Sequence, residues 1–422
     1  MMSQCKIKLL LIILSASVLL SCANTHPNNQ AAVAHNNKSR VDSIGSDSQC
    51  HALPFDPKGN VNSLQQALQN ATNTGLPVKI SGQYYIDNEI KVILRNDLIV
   101  DASQALFFAT SKLDGDLFSL DAHSKHSQKC ALQVESEVHW VGGFINIANA
   151  KVSQVVPITK MTPQGRTGTK KTADALSIRG HHNGFQKLRN VIVDGITVVG
   201  TKTAKDPFYL AGGDSGILMA GTRQATIKNN NFFGIRDAAI YVTAAGKNGE
   251  IGDDFVLINN YVERAYDGIT SKRGADRITM QNNRLNNVAV GLSIKHLFSG
   301  RTSYQANISN NTIKSAVRAI SLERVNDATV ANNVISGLGD IYAGKTSPIN
   351  ARGRHYEAIG LDGAQGNLVI KNNTIQGVNG KRTIKFKTYG IVSRSYNKRP
   401  TTDYLAINNL FHDLDSDIQQ FK

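Results

Sequence analysis

The sequence predicts an all-β solenoid, and three features of its C-terminal half carry that expectation. A short alternating apolar strand ends repeatedly in two asparagines: Asn229–Asn230, Asn259–Asn260, Asn282–Asn283, Asn310–Asn311, Asn332–Asn333, Asn372–Asn373 and Asn408–Asn409. A second unit, a small residue before Ile or Leu, recurs at Gly216-Ile217, Ala239-Ile240, Gly268-Ile269, Gly291-Leu292, Ala319-Ile320, Ala358-Ile359 and Gly390-Ile391. The two units alternate strictly, and successive Asn pairs lie 30, 23, 28, 22, 40 and 36 residues apart. Periods of this size mark stacked repeats in which each unit buries its apolar face only against its neighbours.

Each period holds about three short β-type runs and no long helical pattern. In one copy these are Ile269-Thr270-Ser271, Ile278-Thr279-Met280 and Arg284-Leu285-Asn286. Three strands per coil make a parallel β-helix whose rungs stack ~4.8 Å apart. Asparagine tolerates the left-handed backbone of a tight bend. Stacked at one bend, its amides can bond along the column, and Asn282 and Asn310 are expected to do so inside one turn. Over residues 176–422 the chain therefore resembles the right-handed parallel β-helix proteins of the pectate-lyase superfamily, in which asparagine ladders at one turn are typical. That group holds lyases, hydrolases, epimerases and non-enzymes.

The N-terminal elements follow in order. Lys6 and Lys8 precede an apolar run, Leu9–Leu20, that suits a secretory signal and is too short to span a bilayer comfortably. It ends in Leu19-Leu20-Ser21-Cys22, which resembles the bacterial lipobox, so residues 1–21 are read as a lipoprotein signal peptide and Cys22 as the lipidated N-terminus. Ala23 in place of an inner-membrane retention Asp implies the outer membrane by the same resemblance. Residues 22–48, polar and without apolar period, read as a flexible tether, and 49–422 as the β-helix domain. Cys50 and Cys130 remain to pair or stay free. Within a cap at about 55–90, Asn62 or Ser63 is expected to start a helix running through Ala71 and stopped by Gly75, with Leu64, Ala67, Leu68 and Ala71 as its apolar stripe. Such a cap is needed because a solenoid's first rung otherwise exposes core and unpaired edge.

The net charge of +15 points to a polyanionic partner. With few aromatics for stacking, that partner is read as an acidic polysaccharide rather than a nucleic acid, and the chain as a monomer with a lipid-mediated membrane contact. The working face is sought on the Gly/Ala-Ile strand, which the two long connections, Gly337–Glu357 and Val378–Tyr389, both enter. With the Ile side chains inward, the position three residues later points outward and reads Ala220, Thr243, Lys272, Lys295, Glu323, Asp362 and Arg394. The next position adds Arg273, His296 and Arg324, and the position two before the Ile adds Asp267, Arg318 and Glu357. The column ending the Asn strands shows no comparable cluster, which argues against a merely solvated face.

Two chemistries compete for this column. β-Elimination on a uronic acid needs a cation to neutralise the carboxylate, a base for the C5 proton and an acid for the leaving oxygen. Lys295 or His296 is the candidate base and Lys272 shares the catalytic set with it. Tyr266 or Tyr241 is the proton donor, and Arg273, Arg324, Arg394 and Asp267 are substrate-side groups. Hydrolysis needs paired carboxylates instead, for which Glu323 and Asp362 on neighbouring rungs are the candidates. No cofactor is required. Calcium is an option through Glu323, Asp362 or Asp267, without a dense carboxylate motif to demand it. A non-catalytic β-helix binding an acidic envelope polymer would use the same basic face. Gly180-His181-His182-Asn183-Gly184 departs from the Gly-His-Gly signature of the pectin hydrolases.

The lipoprotein expectation has a direct check. Growth with a labelled fatty acid should mark the wild-type chain and leave Cys22→Ala unmarked; equal labelling of both, or of neither, overturns it.

Overall fold

The computed structural model describes residues 59–122, 135–151, 160–162, 165–167, 173–180, 187–200, 214–245, 252–296, 301–340, 355–378 and 387–421. The signal sequence, the tether with Cys22, Cys50 and Cys130, residues 181–184, and most of the two long connections lie outside these residues.

Among the described residues, 27 strands join into one continuous parallel sheet that coils on itself. One rung illustrates the plan. The strand Asp253–Ile258 forms the first face and ends at the Asn259–Asn260 bend. Tyr261–Lys272 then runs through two faces as one bent strand. The next rung begins with Asp276–Gln281, which pairs in parallel with Asp253–Ile258, Val256 opposite Thr279. The three expected runs per period are therefore present, with two of them fused.

Many of the bends are made by a residue in the left-handed region. Gly234, Arg264, Asn287, Ser315 and Gly337 occupy it at equivalent points, three residues into their strands, where the second face ends. The small residue that follows has its own reason. A Cβ on Gly268 would stand 2.2 Å from Leu285 Cδ2 and 2.7 Å from the Gly291 carbonyl, so the corner takes nothing bulky. Beyond it, Ile217, Ile240, Ile269, Leu292, Ile320, Ile359 and Ile391 are all fully buried, one above another. In the N-terminal rungs Tyr84, Phe107, Phe118 and Trp140 pack in series at 5.2, 4.9 and 5.0 Å, and Phe232 and Phe255 are fully buried farther along.

The asparagine ladder is present, one residue later than expected. The first Asn of each pair makes the bend, with φ of 56° at Asn282 and 57° at Asn310, and its side chain is exposed. The second Asn is buried and carries the ladder. The Nδ2 of Asn260, Asn283, Asn311 and Asn333 donates to Oδ1 of the next at 3.0, 3.1, 2.9 and 2.9 Å. The backbone N–H of each donates to the same oxygen, and Nδ2 also reaches a backbone carbonyl of the rung before, as Asn311 does to Met280 at 2.9 Å. Only the buried member can do this, because the left-handed residue before it turns its own side chain out to water.

The capping helix spans Val61–Thr74 and ends at Gly75, whose φ is 70°. Its N-cap is Asn60, which accepts from Ser63 N–H at 3.0 Å, two residues before the earliest expected cap. Leu64, Ala67, Leu68 and Ala71 are buried as the stripe requires. The polar side chains beside them close the open edge of the sheet. The amides of Lys91, Ile93 and Arg95 donate to Gln65, Gln69 and Thr72, each at 2.9 Å. Donors that would face an empty rung position are thereby satisfied.

Asn311→Ala removes the acceptor of Asn283 and leaves the Met280 and Asn333 oxygens short of a donor. At ~1–3 kcal/mol per buried unsatisfied group, it should lower the unfolding midpoint sharply. Asn310→Gly keeps the left-handed bend and should change stability by only about 0.5 kcal/mol. Thermal or denaturant unfolding of the two variants compares them directly.

Candidate functional site

The third face carries the expected column in register. Thr243 pairs with Lys272, and Lys272 with Lys295. Further along, Glu323 pairs with Asp362, and Asp362 with Arg394. The position two before the Ile forms a parallel column of Asp267, Val290, Arg318 and Glu357. Between them runs a row of hydroxyls, Tyr241, Thr270, Ser293 and Ser321, with Ser293 donating to Thr270 at 2.9 Å. The side chains point away from the solenoid core, yet the face is not solvated: Lys272 is 5 % exposed, Glu323 2 % and Asp267 1 %.

The lysines and tyrosines come together. Lys295 reaches back one rung to place Nζ 2.6 Å from both oxygens of Asp267. Burial lowers its affinity for the proton, opposed by Asp267 and aided by Lys272, and the net displacement is downward. Lys272 Nζ lies 4.1 Å from the Tyr241 ring centre, and Lys295 Nζ 6.0 Å from that of Tyr266. Burial, then the nearby Asp237 carboxylate, raises the Tyr241 phenol far above its ordinary value, so it stays protonated. At the turn edge stand Arg273, His296 and Arg324. Arg324 Nη1 is 3.1 Å from His296 Nε2. An arginine can only donate, so in this contact the ring nitrogen is the acceptor.

The C-terminal end of the face is a closed ionic network that sequence reading did not single out. Glu357 pairs with Arg318 and Arg394, and its Oε2 is 3.2 Å from His355 Nε2. Asp362 pairs with Arg394 and, at 3.3 Å, with Arg318. Burial would raise the Glu357 pKa, but Arg318, His355 and Arg394 hold it down at about 2. Arg394 is therefore shared between two acids, and Asp362 is bound by two cations, which separates it functionally from Glu323. Asp267 is likewise occupied by Lys295. Among the described residues no group of three His, Cys, Asp or Glu side chains is placed to hold a metal ion.

The N-terminal rungs of the same face carry a row of aspartates, Asp116, Asp174, Asp214 and Asp237. Their signal was legible as an acid recurring two or three positions before the inward Phe118, Leu176, Ile217 and Ile240. Asp116 accepts the amide of Asp174 at 3.1 Å, and Asp174 that of Ser215 at 2.9 Å, so they serve the turn as the asparagines serve theirs. Asp174 is fully buried, and burial with the Asp116 charge pushes its carboxyl well above the usual range.

The Glu357 network predicts a pH response. Its carboxylate has a folded value of about 2 against an ordinary 4.5, so it contributes stability above pH 4.5 that is lost as pH falls towards 2. Glu357→Gln should cost ~3–5 kcal/mol at neutral pH, because two buried guanidiniums lose their shared partner. The variant should also show a flatter loss between pH 4.5 and 2, measured by denaturant unfolding across that window.

Known proteins resemble this chain in fold. A crystal structure of PfbA, a surface adhesin of Streptococcus pneumoniae, matches at 15 % identity and a TM-score of 0.51, over 87 % of this chain and 91 % of that one. A second structure of the same adhesin matches at 16 % identity and 0.50, over 89 % and 99 %. An iota-carrageenase complexed to iota-carrageenan fragments gives 10 % identity and 0.46, over 92 % and 95 %. No curated protein sequence matches. Identities this low speak to the fold alone. The family described as "Right handed beta helix region" matches residues 187–397, half of the chain. The chain belongs to that right-handed β-helix family.

Proposed function

We propose that the protein cleaves an acidic, uronate-containing polysaccharide by β-elimination along the third face. One observation carries this reading: Lys272 and Lys295 stand side by side on adjacent rungs, each beside a tyrosine ring, in a water-poor face. Lys295, whose proton is loosened by burial, takes the C5 proton. Lys272 and Arg273 neutralise the uronate carboxylate, so that charge developing at C5 is stabilised. Tyr241, which keeps its proton, gives it to the leaving oxygen. Asp267 orients the free Lys295 amine for this transfer and holds the ammonium that forms. In this reading the Cys22 lipid and the polar tether hold the domain at the outer membrane.

A second reading is favoured by Asp174. A carboxyl whose hold on its proton is strengthened by burial and by the Asp116 charge is the kind of acid that glycoside hydrolysis would need.

The product separates them. Incubated with uronate polymers, the purified protein should generate an unsaturated sugar seen by ultraviolet absorbance. Lys272→Ala and Lys295→Ala should each lower turnover about 10²-fold or more. A saturated product, with activity abolished by Asp174→Asn and indifferent to both lysines, would establish the hydrolase instead. Binding without cleavage would reduce the face to a recognition surface.

A further inference from the structure

We propose that Arg324 and Arg399, with His296 and Arg273 beside them, form a separate oxyanion-binding subsite at the turn edge of the third face, which takes a carboxylate or sulfate ester carried by the polymer. The proposal rests on the acidic-polysaccharide reading and adds a residue, Arg399, from a segment outside the column.

The residue that leaves the third face is left-handed in four rungs: Gly221, Arg273, Arg324 and Gly363, with φ of 66°, 65°, 51° and 64°. Two of these rungs place arginine at the turn, so the edge of the face carries two guanidiniums at equivalent positions. Gly363 shows why the rung below keeps its glycine: a Cβ there would meet the Arg399 carbonyl at 3.0 Å and Tyr396 Cβ at 3.1 Å.

A tight turn delivers Arg399 to this edge. Tyr396 and Arg399 exchange backbone hydrogen bonds of 2.9 and 3.0 Å around Asn397 and Lys398, both left-handed. That is a type I′ turn. Thr401 pins its base, accepting from Gly363 N–H at 2.9 Å and donating to the Leu361 and Arg394 carbonyls at 2.8 Å. From this arm Arg399 reaches back over the preceding rungs, donating to Thr302 Oγ1 at 2.7 Å and to Asn326 Oδ1. Both acceptors are uncharged. The Nε of Arg324 and the Nε of Arg399 are buried and meet no hydrogen-bond acceptor among the described residues.

Burial, then the neighbouring Arg324 charge, lowers the affinity of Arg399 for its own proton. Two guanidiniums are thus held within each other's field, beside the His296 imidazole and the Tyr396 ring, whose centre is 6.1 Å from that of His296. Such an arrangement gains most when an oxyanion enters, because arginine forks match carboxylate and sulfate oxygens and the mutual repulsion is relieved.

Affinity electrophoresis tests this without requiring turnover. Gels containing a polyuronate, dextran sulfate or neutral dextran are run with the full chain, Arg399→Ala, Arg399→Lys and Lys314→Ala. Lys314 is an exposed lysine on the second face and controls for net charge. The wild type should be retarded by at least one polyanion and not by neutral dextran. Arg399→Ala should weaken that binding by about tenfold or more at unchanged thermal midpoint, Arg399→Lys should recover part of it, and Lys314→Ala should change it less than about twofold. Retardation by the polyuronate assigns carboxylate, and by dextran sulfate alone assigns sulfate ester. Equal effects of Arg399→Ala and Lys314→Ala, or no retardation of the wild type by either polyanion, overturns the subsite. If Arg399→Ala loses binding while the wild type cleaves no polymer, the subsite stands and the lyase reading falls.

Discussion

Everything in this molecule depends on satisfying the backbone at a bend that is repeated in every rung. A parallel coil stacks its corners directly above one another, so an unpaired amide at one corner is an unpaired amide at all of them. The second asparagine of each pair meets that demand: Asn260, Asn283, Asn311 and Asn333 each donate twice to the neighbour below and once to a carbonyl above. The rungs differ in length by almost a factor of two, yet the ladder is unbroken from Asn230 to Asn409. Insertions are confined to the bends that the ladder does not occupy, so the strands remain in register while the connections vary.

Register is what turns a scattered set of charges into a site. One residue per rung on the third face falls into each column, and stacking brings those residues within reach of one another. At that spacing, like charges must be separated, screened or answered by opposite charge. The face does this differently along its length. At the C-terminal rungs Arg318, Glu357, Asp362 and Arg394 answer one another completely, and His355 closes the ring. At the centre Asp267 holds Lys295 while Lys272 lies against Tyr241. The first arrangement suits a scaffold. The second leaves a loosened proton and a protonated phenol side by side, which is the raw material of acid–base chemistry.

The coil, its three strands and the inward Ile column were legible in the sequence because the inward side chains and the small corner residues recur where packing tolerates little else. The column Lys272, Lys295, Glu323, Asp362 and Arg394 was legible for the same reason, since counting three residues from a buried Ile is a matter of strand pleat. The ladder was legible as a pair but not as to which member stacks. That depends on which of two adjacent asparagines adopts the left-handed φ, and both residue types are the same. The helix cap moved to Asn60 because Asn60, Asn62 and Ser63 are all capping residue types within four positions, each able to start the helix on a different amide.

What the sequence by itself determined is therefore what repeats: the coil, its handedness through family resemblance, the inward core and the outward column. What only the tertiary structure decided is who partners whom. Asp362 and Glu323 share a column, yet Asp362 is bound by Arg318 and Arg394 while Lys295 turns back to Asp267. Arg399, 75 residues beyond Arg324, arrives at the same edge on a turn whose base is held by Thr401. The reason is that long side chains bond along the stacking axis and across it. Their choice is set by burial and by loops that return over earlier rungs, none of which has a period in the sequence.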